Sequence, residues 1–322
     1  MREKEQPEPG PTARPVVSVL IVADHDTERH AELADLRSCL HALAAQEVDA
    51  PVEFLLVETQ ERARSLPAEV LALLPGLRVI GVPHNATYEQ KNAGAQAAQG
   101  DIIALLDVDC IPVAGWLQAL ITTFRAHPDY VAVSGRTRYE GKTTSERCLS
   151  VLSRGFLDPG KEGPTRFISN NNSGFRREVY ARFPLPEGEG PYAAQLQSAA
   201  MRRDGGRFLF QPTMTVIHDF EGWTMERDIR CHIGWATIRI RQIDPGLRFS
   251  WLLRLGPASI PLFYIGRVVE SVGTCLRVGH QYGLRLTDYP VALGLTLWVH
   301  FLEITGMRLA FRHQRVDHTK YR

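Results

Sequence analysis

The sequence predicts an α/β fold with a doubly wound, mostly parallel sheet, and two observations support this prediction. Short apolar runs alternate along the first half of the chain with stretches in which apolar residues recur at helical spacing. The connections between these segments are short. Repeated strand and helix units of this kind build a parallel sheet whose right-handed crossovers place helices on both faces.

Successive units follow one another along the chain. The first joins the strand VVSVLIVA to the helix AELADLRSCLHAL, and the second joins VEFLLVE to a helix predicted over residues 62–74. The third joins LRVIGV to TYEQKNAGAQAAQ, and the next joins DIIALLD to GWLQALITTFRA. Further on, YVAVSG adds a strand, GRFLFQPTMTVIH is typical of two short strands, and residues 224–242 are predicted to form a basic helix.

Composition limits the possible functions. The 322 residues suffice for one large or two modest domains, and a net charge of +1 gives no field that would attract nucleic acid. Five scattered cysteines without a C-x-x-C pair indicate a reducing, cytoplasmic compartment rather than a disulfide framework or a zinc cluster. Residues 1–15 are rich in charge and proline, so we expect them to be a flexible leader.

An acidic pair follows a buried strand in the segment GDIIALLDVDCIP. Because side chains alternate along a strand, Asp107 and Asp109 point the same way while Val108 points the other way. Two neighbouring carboxylates raise each other's pKa unless a cation or hydrogen-bond donors compensate them. One interpretation is a solvated strand end before Pro112, and the other is a divalent-metal site at the carboxyl edge of a parallel sheet.

The order of these motifs resembles that of family 2 glycosyltransferases with the GT-A fold. VSVLIVA, LLVE, the Asn- and Gly-containing segment that leads into the acidic pair, and NNNSGFRREVYARF follow in the family's order. We therefore expect a GT-A domain over residues 16–245. The resemblance implies a nucleotide-diphosphate sugar donor, a hydroxyl acceptor, a divalent metal and transfer with inversion.

The resemblance also assigns the acidic pair and a later histidine. Asp109 is expected to bind the metal directly, and Asp107 to bind either a metal-bound water molecule or the ribose. His218 is expected to complete the metal site from the end of another strand, and a buried structural histidine is the competing interpretation. Oxygen ligation by the two carboxylates favours Mg²⁺ or Mn²⁺ over zinc.

Other polar residues are candidates for contacts with the donor. Asn85, Lys91 and Asn92 precede the acidic pair, where the family keeps nucleotide and phosphate contacts, unless they form a solvated helix face. Glu58 stands where the family typically has paired aspartates that hold the base and ribose. Its carboxylate can accept a hydrogen bond from a base N–H, and a surface glutamate is the alternative.

The chain departs from the family at the catalytic base. Family members commonly carry a Glu-Asp pair at the start of a helix after the segment that resembles GFRREVYARF, but here that helix opens with alanines. Glu189, between two glycines of the preceding loop, is the predicted base that takes the proton of the acceptor hydroxyl; a plain solvated loop is the alternative. Upstream, the amide-rich segment NNNSGF predicts that Asn171 and Asn172 lie on the acceptor or sugar side.

The last part of the chain, residues 246–322, is predicted to be helical and membrane-associating. Its charge-free runs at 255–266 and 289–302 fall short of the roughly 20 apolar residues that a spanning helix needs. Apolar helices that carry arginines, with Trp251, Trp298 and Tyr264 near their flanks, suit a position on an anionic membrane surface. The arginines on these helices are Arg254, Arg267, Arg277, Arg285 and Arg308. The alternative is that the helices pack as ordinary core.

Two classes of function agree with these features. The first is a metal-dependent glycosyltransferase, peripheral to the cytoplasmic face of a membrane, that acts on a polysaccharide, a glycolipid or a metabolite; its acceptor can be lipid-linked. The second is a non-catalytic protein that retains nucleotide-sugar binding or membrane docking, since the usual Glu-Asp pair is missing. Hydrolysis of the sugar donor with Mn²⁺ would distinguish them.

Overall fold

The computed structural model describes residues 14–23, 33–187, 193–218, 220 and 222–314. Apart from its last two residues, the expected leader lies outside this part of the chain.

The predicted alternation of strands and helices is present in the first half of the chain. Its elements are β1 (Val17–Val22), α1 (Ala34–Ala44), β2 (Val52–Thr59), α2 (Gln60–Ser65), α3 (Ala68–Leu71), β3 (Arg78–Val82), α4 (Thr87–Ala97), β4 (Ile102–Asp107), β5 (Cys110–Pro112) and α5 (Trp116–Ala126). One predicted helix is interrupted: the helix expected over residues 62–74 is divided into α2 and α3, and the chain is extended at Leu66 and Pro67. Proline disfavours a helical conformation in the residue before it, which explains the break.

The second half contains shorter strands and longer helices. Its elements are β6 (Tyr130–Tyr139), α6 (Thr144–Arg154), β7 (Gly163–Thr165), β8 (Asn172–Arg176), α7 (Arg177–Arg182), α8 (Ala193–Arg203), β9 (Arg207–His218), α9 (Trp223–Ile243), α10 (Ile260–Val278) and α11 (Tyr289–Phe311). The predicted basic helix is confirmed as α9. The two strands expected in GRFLFQPTMTVIH are one strand, β9, whose register against β6 shifts between the pairs Gly135–Gln211 and Arg136–Thr215. Pro212 therefore lies in an irregularity of a continuous strand.

The strands form one sheet in the order β3-β2-β1-β4-β8-β6-β9-β5, with β7 paired to β9. β3, β2, β1 and β4 are parallel neighbours, and β6 and β9 are parallel to each other. The short strands β5, β7 and β8 run antiparallel to their neighbours. Most strands therefore run in one direction, as the sequence predicts for a mostly parallel sheet.

Both faces of the sheet are covered. Along β1, Val19 and Ile21 pack into a core with α1 and α5, while Leu20 packs into a second core on the opposite face, with residues of α7 and α8. The alternation of side chains along a strand explains this division. It is the doubly wound arrangement that the sequence predicts.

The helices at the end of the chain are attached through α9. α9 and α11 cross at two glycines, and their backbones are in direct contact there. A Cβ atom at Gly234 would overlap the carbonyl oxygen of Glu303, and one at Gly306 would overlap the carbonyl oxygen of Cys231. The predicted domain boundary after residue 245 falls just beyond the end of α9. The boundary stays a prediction, because α9, which precedes it, packs along α11, which follows it.

Two segments of this region are long and apolar. By length and composition alone, Ser250–Tyr282 and Leu286–Phe311 could cross a membrane, and 22% and 39% of their most apolar windows are buried within the structure. Both segments exceed the charge-free runs at 255–266 and 289–302, because the structure continues the helices through isolated charged residues.

We expect Gly306→Ala to destabilise the protein by about 1–3 kcal/mol, since the added methyl group would force the two backbones apart. Gly294→Ala is the matched control on the same helix, because a Cβ atom there meets no described residue within 4 Å. That substitution should be neutral or stabilise by up to about 1 kcal/mol. Thermal and urea unfolding of both variants would test this, and equal stabilities would contradict the close backbone contact.

Candidate active site

Several strand ends meet at one edge of the sheet and bring the predicted acidic residues together. β4 ends at Asp107, and β5 pairs with the end of β9 so that Cys110 lies opposite His218. Asp109 precedes Cys110 and therefore lies beside His218. Asn171 precedes β8, and its carbonyl oxygen accepts a hydrogen bond of 3.4 Å from the N–H of Asp107. A cavity of about 250 Å³ lies where these strand ends meet.

Asp109 and His218 form the part of the cavity that suits a metal ion. His218 Nε2 lies 3.1 Å from Asp109 Oδ2, and Asp109 Oδ1 is buried without a hydrogen-bond partner among the described residues. Burial alone would raise the pKa of Asp109, but the imidazole beside it holds this pKa well below its usual value. An ionised carboxylate with one oxygen unbonded is a fitting ligand for Mn²⁺ or Mg²⁺.

A thiol belongs to the same cluster. Ligand atoms of Asp109, Cys110 and His218 all lie within 4.8 Å of one another. Burial raises the pKa of the Cys110 thiol well above its ordinary value, and the charges of Asp109 and Asp107 raise it further. The carboxylate is a ligand that suits Mn²⁺ or Mg²⁺, whereas the imidazole and a thiolate are ligands of zinc as well.

Asp107 has a cationic partner of its own. Lys91 of α4 is fully buried, and its Nζ lies 2.7 Å from Asp107 Oδ1. Burial raises the pKa of Asp107; the charge of Lys91 opposes this rise and that of Asp109 adds to it. The two carboxylates of the acidic pair are thus compensated separately, one by Lys91 and one by His218. Lys91 lines the cavity, and its contact with phosphate stays a prediction.

The two asparagines predicted for the sugar side are separated by the structure. Asn171 lines the cavity, and its Oδ1 accepts hydrogen bonds from the hydroxyls of Thr137 and Ser169. Asn172 is fully buried: its Oδ1 accepts from Trp116 Nε1 at 2.8 Å, and its Nδ2 donates to two backbone carbonyl oxygens. The assignment of Asn172 to a sugar does not agree with this structure, because every polar atom of its side chain is used inside the core.

Asn92 also has a structural role. Its Nδ2 donates to the carbonyl oxygen of Leu185 at 2.8 Å, and its Oδ1 accepts from the N–H of Leu185 at 3.0 Å and from the hydroxyl of Tyr180 at 3.2 Å. Asn92 is not among the residues that line the cavity. The side chain therefore fixes the loop after α7 to α4 instead of facing a nucleotide, contrary to the prediction.

Glu58 and Asn85 lie near the same edge of the sheet but do not line the cavity formed by the described residues. Glu58 is the penultimate residue of β2 and is buried, and its carboxylate accepts a hydrogen bond of 2.7 Å from the N–H of Thr59. It is therefore not a surface glutamate. Asn85 lies between β3 and α4, and its Oδ1 is buried without a hydrogen-bond partner in the described part of the chain. Their contacts with a nucleotide stay predictions.

The predicted base, Glu189, lies outside the described residues. The described chain stops at Glu187 and resumes at Ala193, the first residue of α8. Asp219 and Glu221, the next acidic residues after β9, lie outside it as well.

A charged group on α9 was not anticipated. Glu226 lines the cavity, and its Oε1 accepts a hydrogen bond of 2.6 Å from Arg230 Nε and lies 3.4 Å from Ser153 Oγ. Arg154 also lines the cavity, and its charge contributes to the low pKa of Asp109. The four-residue spacing of Glu226 and Arg230 indicates a pair on one helix face, but spacing does not show what that face packs against.

Comparison with known families and proteins agrees with this geometry. Residues 29–183 match the model of the family described as glycosyl transferase family 2. Over 190 residues the chain is 25% identical to the glycosyltransferase AglE of Haloferax volcanii. This match covers 57% of the chain and 58% of that relative.

Two solved structures show a similar fold. One is the mannosyltransferase PcManGT from Pyrobaculum calidifontis in complex with GDP-Man and Mn²⁺, with a TM-score of 0.59 and 15% identity over 97% of this chain and 92% of that one. The other is GalNAc-T7 with UDP, GalNAc and Mn²⁺, with a TM-score of 0.51 and 16% identity over 66% of this chain and 45% of that one. At these identities the likeness concerns the fold alone.

Proposed function

We propose that the protein transfers a sugar from a nucleotide-diphosphate sugar to a hydroxyl group, with inversion. The match of residues 29–183 to the model of glycosyl transferase family 2 and the likeness of the fold to that of a solved mannosyltransferase support this proposal. The observation that carries the proposal is the position of Asp109 and His218 beside the Asp107–Lys91 pair in one cavity at the carboxyl edge of the sheet. Open α/β sheets bind their ligands at this edge.

In this proposal Asp109 and His218 hold Mn²⁺ or Mg²⁺, and Asp107 binds a metal-bound water molecule or the ribose. The bound ion supplies positive charge for the diphosphate that leaves as the glycosidic bond breaks. Lys91 adds a second positive charge beside the same phosphates, and Asn171 binds hydroxyl groups of the sugar. Glu58 and Asn85 are assigned to the nucleotide. The complexes of the two similar structures with GDP-Man or UDP and with Mn²⁺ support this class of donor and cofactor.

Glu189 is the proposed base. An inverting transfer needs a group that accepts the proton of the attacking hydroxyl, because a neutral alcohol is a poor nucleophile. In the described part of the cavity, Asp107 and Asp109 are committed to cations, and Glu226 is held by Arg230. A carboxylate in the segment between Glu187 and Ala193 is therefore the candidate that we propose.

We also propose that the protein lies on the cytoplasmic face of a membrane and that its acceptor is lipid-linked. α10 and α11 expose large apolar side chains, among them Ile265, Val269 and Phe301, each more than half exposed. Trp251 and Trp298 are exposed as well, as predicted for an interfacial position. The arginines at 254, 277, 285 and 308 are exposed and suit an anionic surface.

Arg267 was predicted to face the membrane surface with these arginines, but the structure places it elsewhere. Its Nε lies 3.2 Å from Glu303 Oε2, so its charge is used between α10 and α11 and is not available to lipid.

Hydrolysis of nucleotide sugars tests the proposed function. With Mn²⁺ we expect turnover of at least one of the UDP-, GDP- and TDP-sugars, and Asp109→Asn should lower it by roughly a hundredfold or more, because a bound cation contributes several kcal/mol. Asp49→Asn, at an exposed carboxylate that pairs with Arg125, is the matched control and should keep full activity. Full metal-dependent activity in Asp109→Asn would sink the assignment.

Once a donor and an acceptor are identified, Glu189→Gln should lower kcat for transfer by about a hundredfold or more, since general-base help has this size. Nucleotide affinity should hardly change, because the group acts on the acceptor. Glu187→Gln, at an exposed position of the same loop, is the control and should be harmless. Near-normal transfer by Glu189→Gln would move the base elsewhere, with Asp219 and Glu221 next to be tested.

Membrane binding is best tested with point substitutions. Deleting residues 246–322 would also remove Glu303, which lies 3.5 Å from the buried Arg230, so that loss of binding and loss of folding would be confused. The triple variant Ile265→Ser, Val269→Ser and Phe301→Ser should bind vesicles of phosphatidylcholine and phosphatidylglycerol at least about tenfold more weakly, with unchanged thermal stability. Equal binding, or no binding by the unmodified protein, would refute the interfacial position.

A further inference from the structure

One part of the cavity lining is apolar and has no task in handling a nucleotide sugar. Met225, Ile229 and Ile233 of α9 all line the cavity, and their spacing of four residues places them along one helix face. Phe156 and Phe220 line it too. A sugar or a phosphate placed against such a row would lose hydrogen bonds to water without replacing them. The row is therefore suited to a different chemical group.

The charge on this face of α9 is neutralised within the protein. Glu226 lies next to Met225 in sequence, but its carboxylate is held by Arg230, which is fully buried. The α9 face thus offers the cavity mainly hydrocarbon, whereas Asp109, His218 and Lys91 offer charge. A molecule that fills both regions has a polar end and an apolar end.

The apolar lining reaches the protein surface beside α10. Phe156 is 46% exposed and sits in the short turn Gly155–Leu157. A Cβ atom at Gly155 would lie 3.0 Å from Thr274 and 3.6 Å from Val278, which places this turn directly on α10. Because Phe156 is itself partly exposed and lines the cavity, an apolar chain that enters from solvent beside α10 can contact Phe156 and then the α9 row in the same cavity.

We propose that this row binds the hydrocarbon chain of an amphiphilic acceptor, whose hydroxyl-bearing end reaches the charged region of the cavity. The inference rests on the proposed function for the identity of the polar end. It adds a binding subsite made of Met225, Ile229, Ile233 and Phe156, and it defines the acceptor as a molecule with an apolar chain.

Photolabelling with a dodecanol that carries a terminal diazirine tests the subsite directly. In the full chain, with Mn²⁺ and a nucleoside diphosphate, we expect label on residues 225–233. Unlabelled decanol should compete for it, and methyl glucoside should not. Ile229→Asn should lower the label there by roughly tenfold, the factor expected when the burial of one isoleucine is lost. Met225→Ser, at a partly exposed position, is the second variant in case the first does not fold.

Val269→Asn is the matched control, because this residue lies on the exposed face of α10 and does not line the cavity. It should reduce labelling of α10 and leave the label on α9 unchanged. Label confined to the exposed faces of α10 and α11, or undiminished label on α9 in both Ile229→Asn and Met225→Ser, would overturn the inference. Donor hydrolysis by the same preparations is a separate readout: if it is absent from the unmodified protein, the proposed function fails whatever the labelling shows.

Discussion

A buried arginine joins the cavity to the helices at the end of the chain. Arg230 is fully buried and lies between Glu226, which lines the cavity, and Glu303 on α11, while its Nη2 donates to Ser153 at 2.7 Å. A buried charge that loses a partner destabilises a protein by several kcal/mol. α6, α9 and α11 must therefore be in place together. On the other side of Glu303, Arg267 binds the same carboxylate, so α10 belongs to this assembly as well.

The site also holds two like charges, and each has its own compensating partner. Asp107 and Asp109 lie two residues apart and would repel each other, but Lys91 and His218 come from different elements and compensate one carboxylate each. The pairing lets the protein fold with both carboxylates in one cavity. It also leaves Asp109 Oδ1 buried without a hydrogen-bond partner in the described part of the chain, and this oxygen is the feature that most favours a cation there.

Sequence reasoning succeeded where local pattern determines position. The strand that ends at Asp107 and the strand that ends at His218 were both recognisable, and the carboxyl edge of a parallel sheet brings such ends together. It failed for Asn92 and Asn172, because an amide that binds ligand and an amide that binds buried backbone are the same letter in the sequence. It also failed for Arg267, whose partner Glu303 lies 36 residues away. Contacts of this kind depend on how helices pack against each other, and the spacing of residues along one helix does not show them.

The distance along the chain between Arg230 and Glu303 has a consequence for biosynthesis. The two residues are 73 positions apart, so the ribosome must complete α11 before Arg230 can meet its second carboxylate. The parallel strands β1 to β4 depend on partners that emerge much earlier, and N-terminal units generally fold first during translation. We therefore expect the nascent protein to pass through a stage with a formed sheet but an incomplete wall around the cavity. While α10 and α11 are still being synthesised, chaperones or a membrane surface would have access to apolar groups that the finished protein covers.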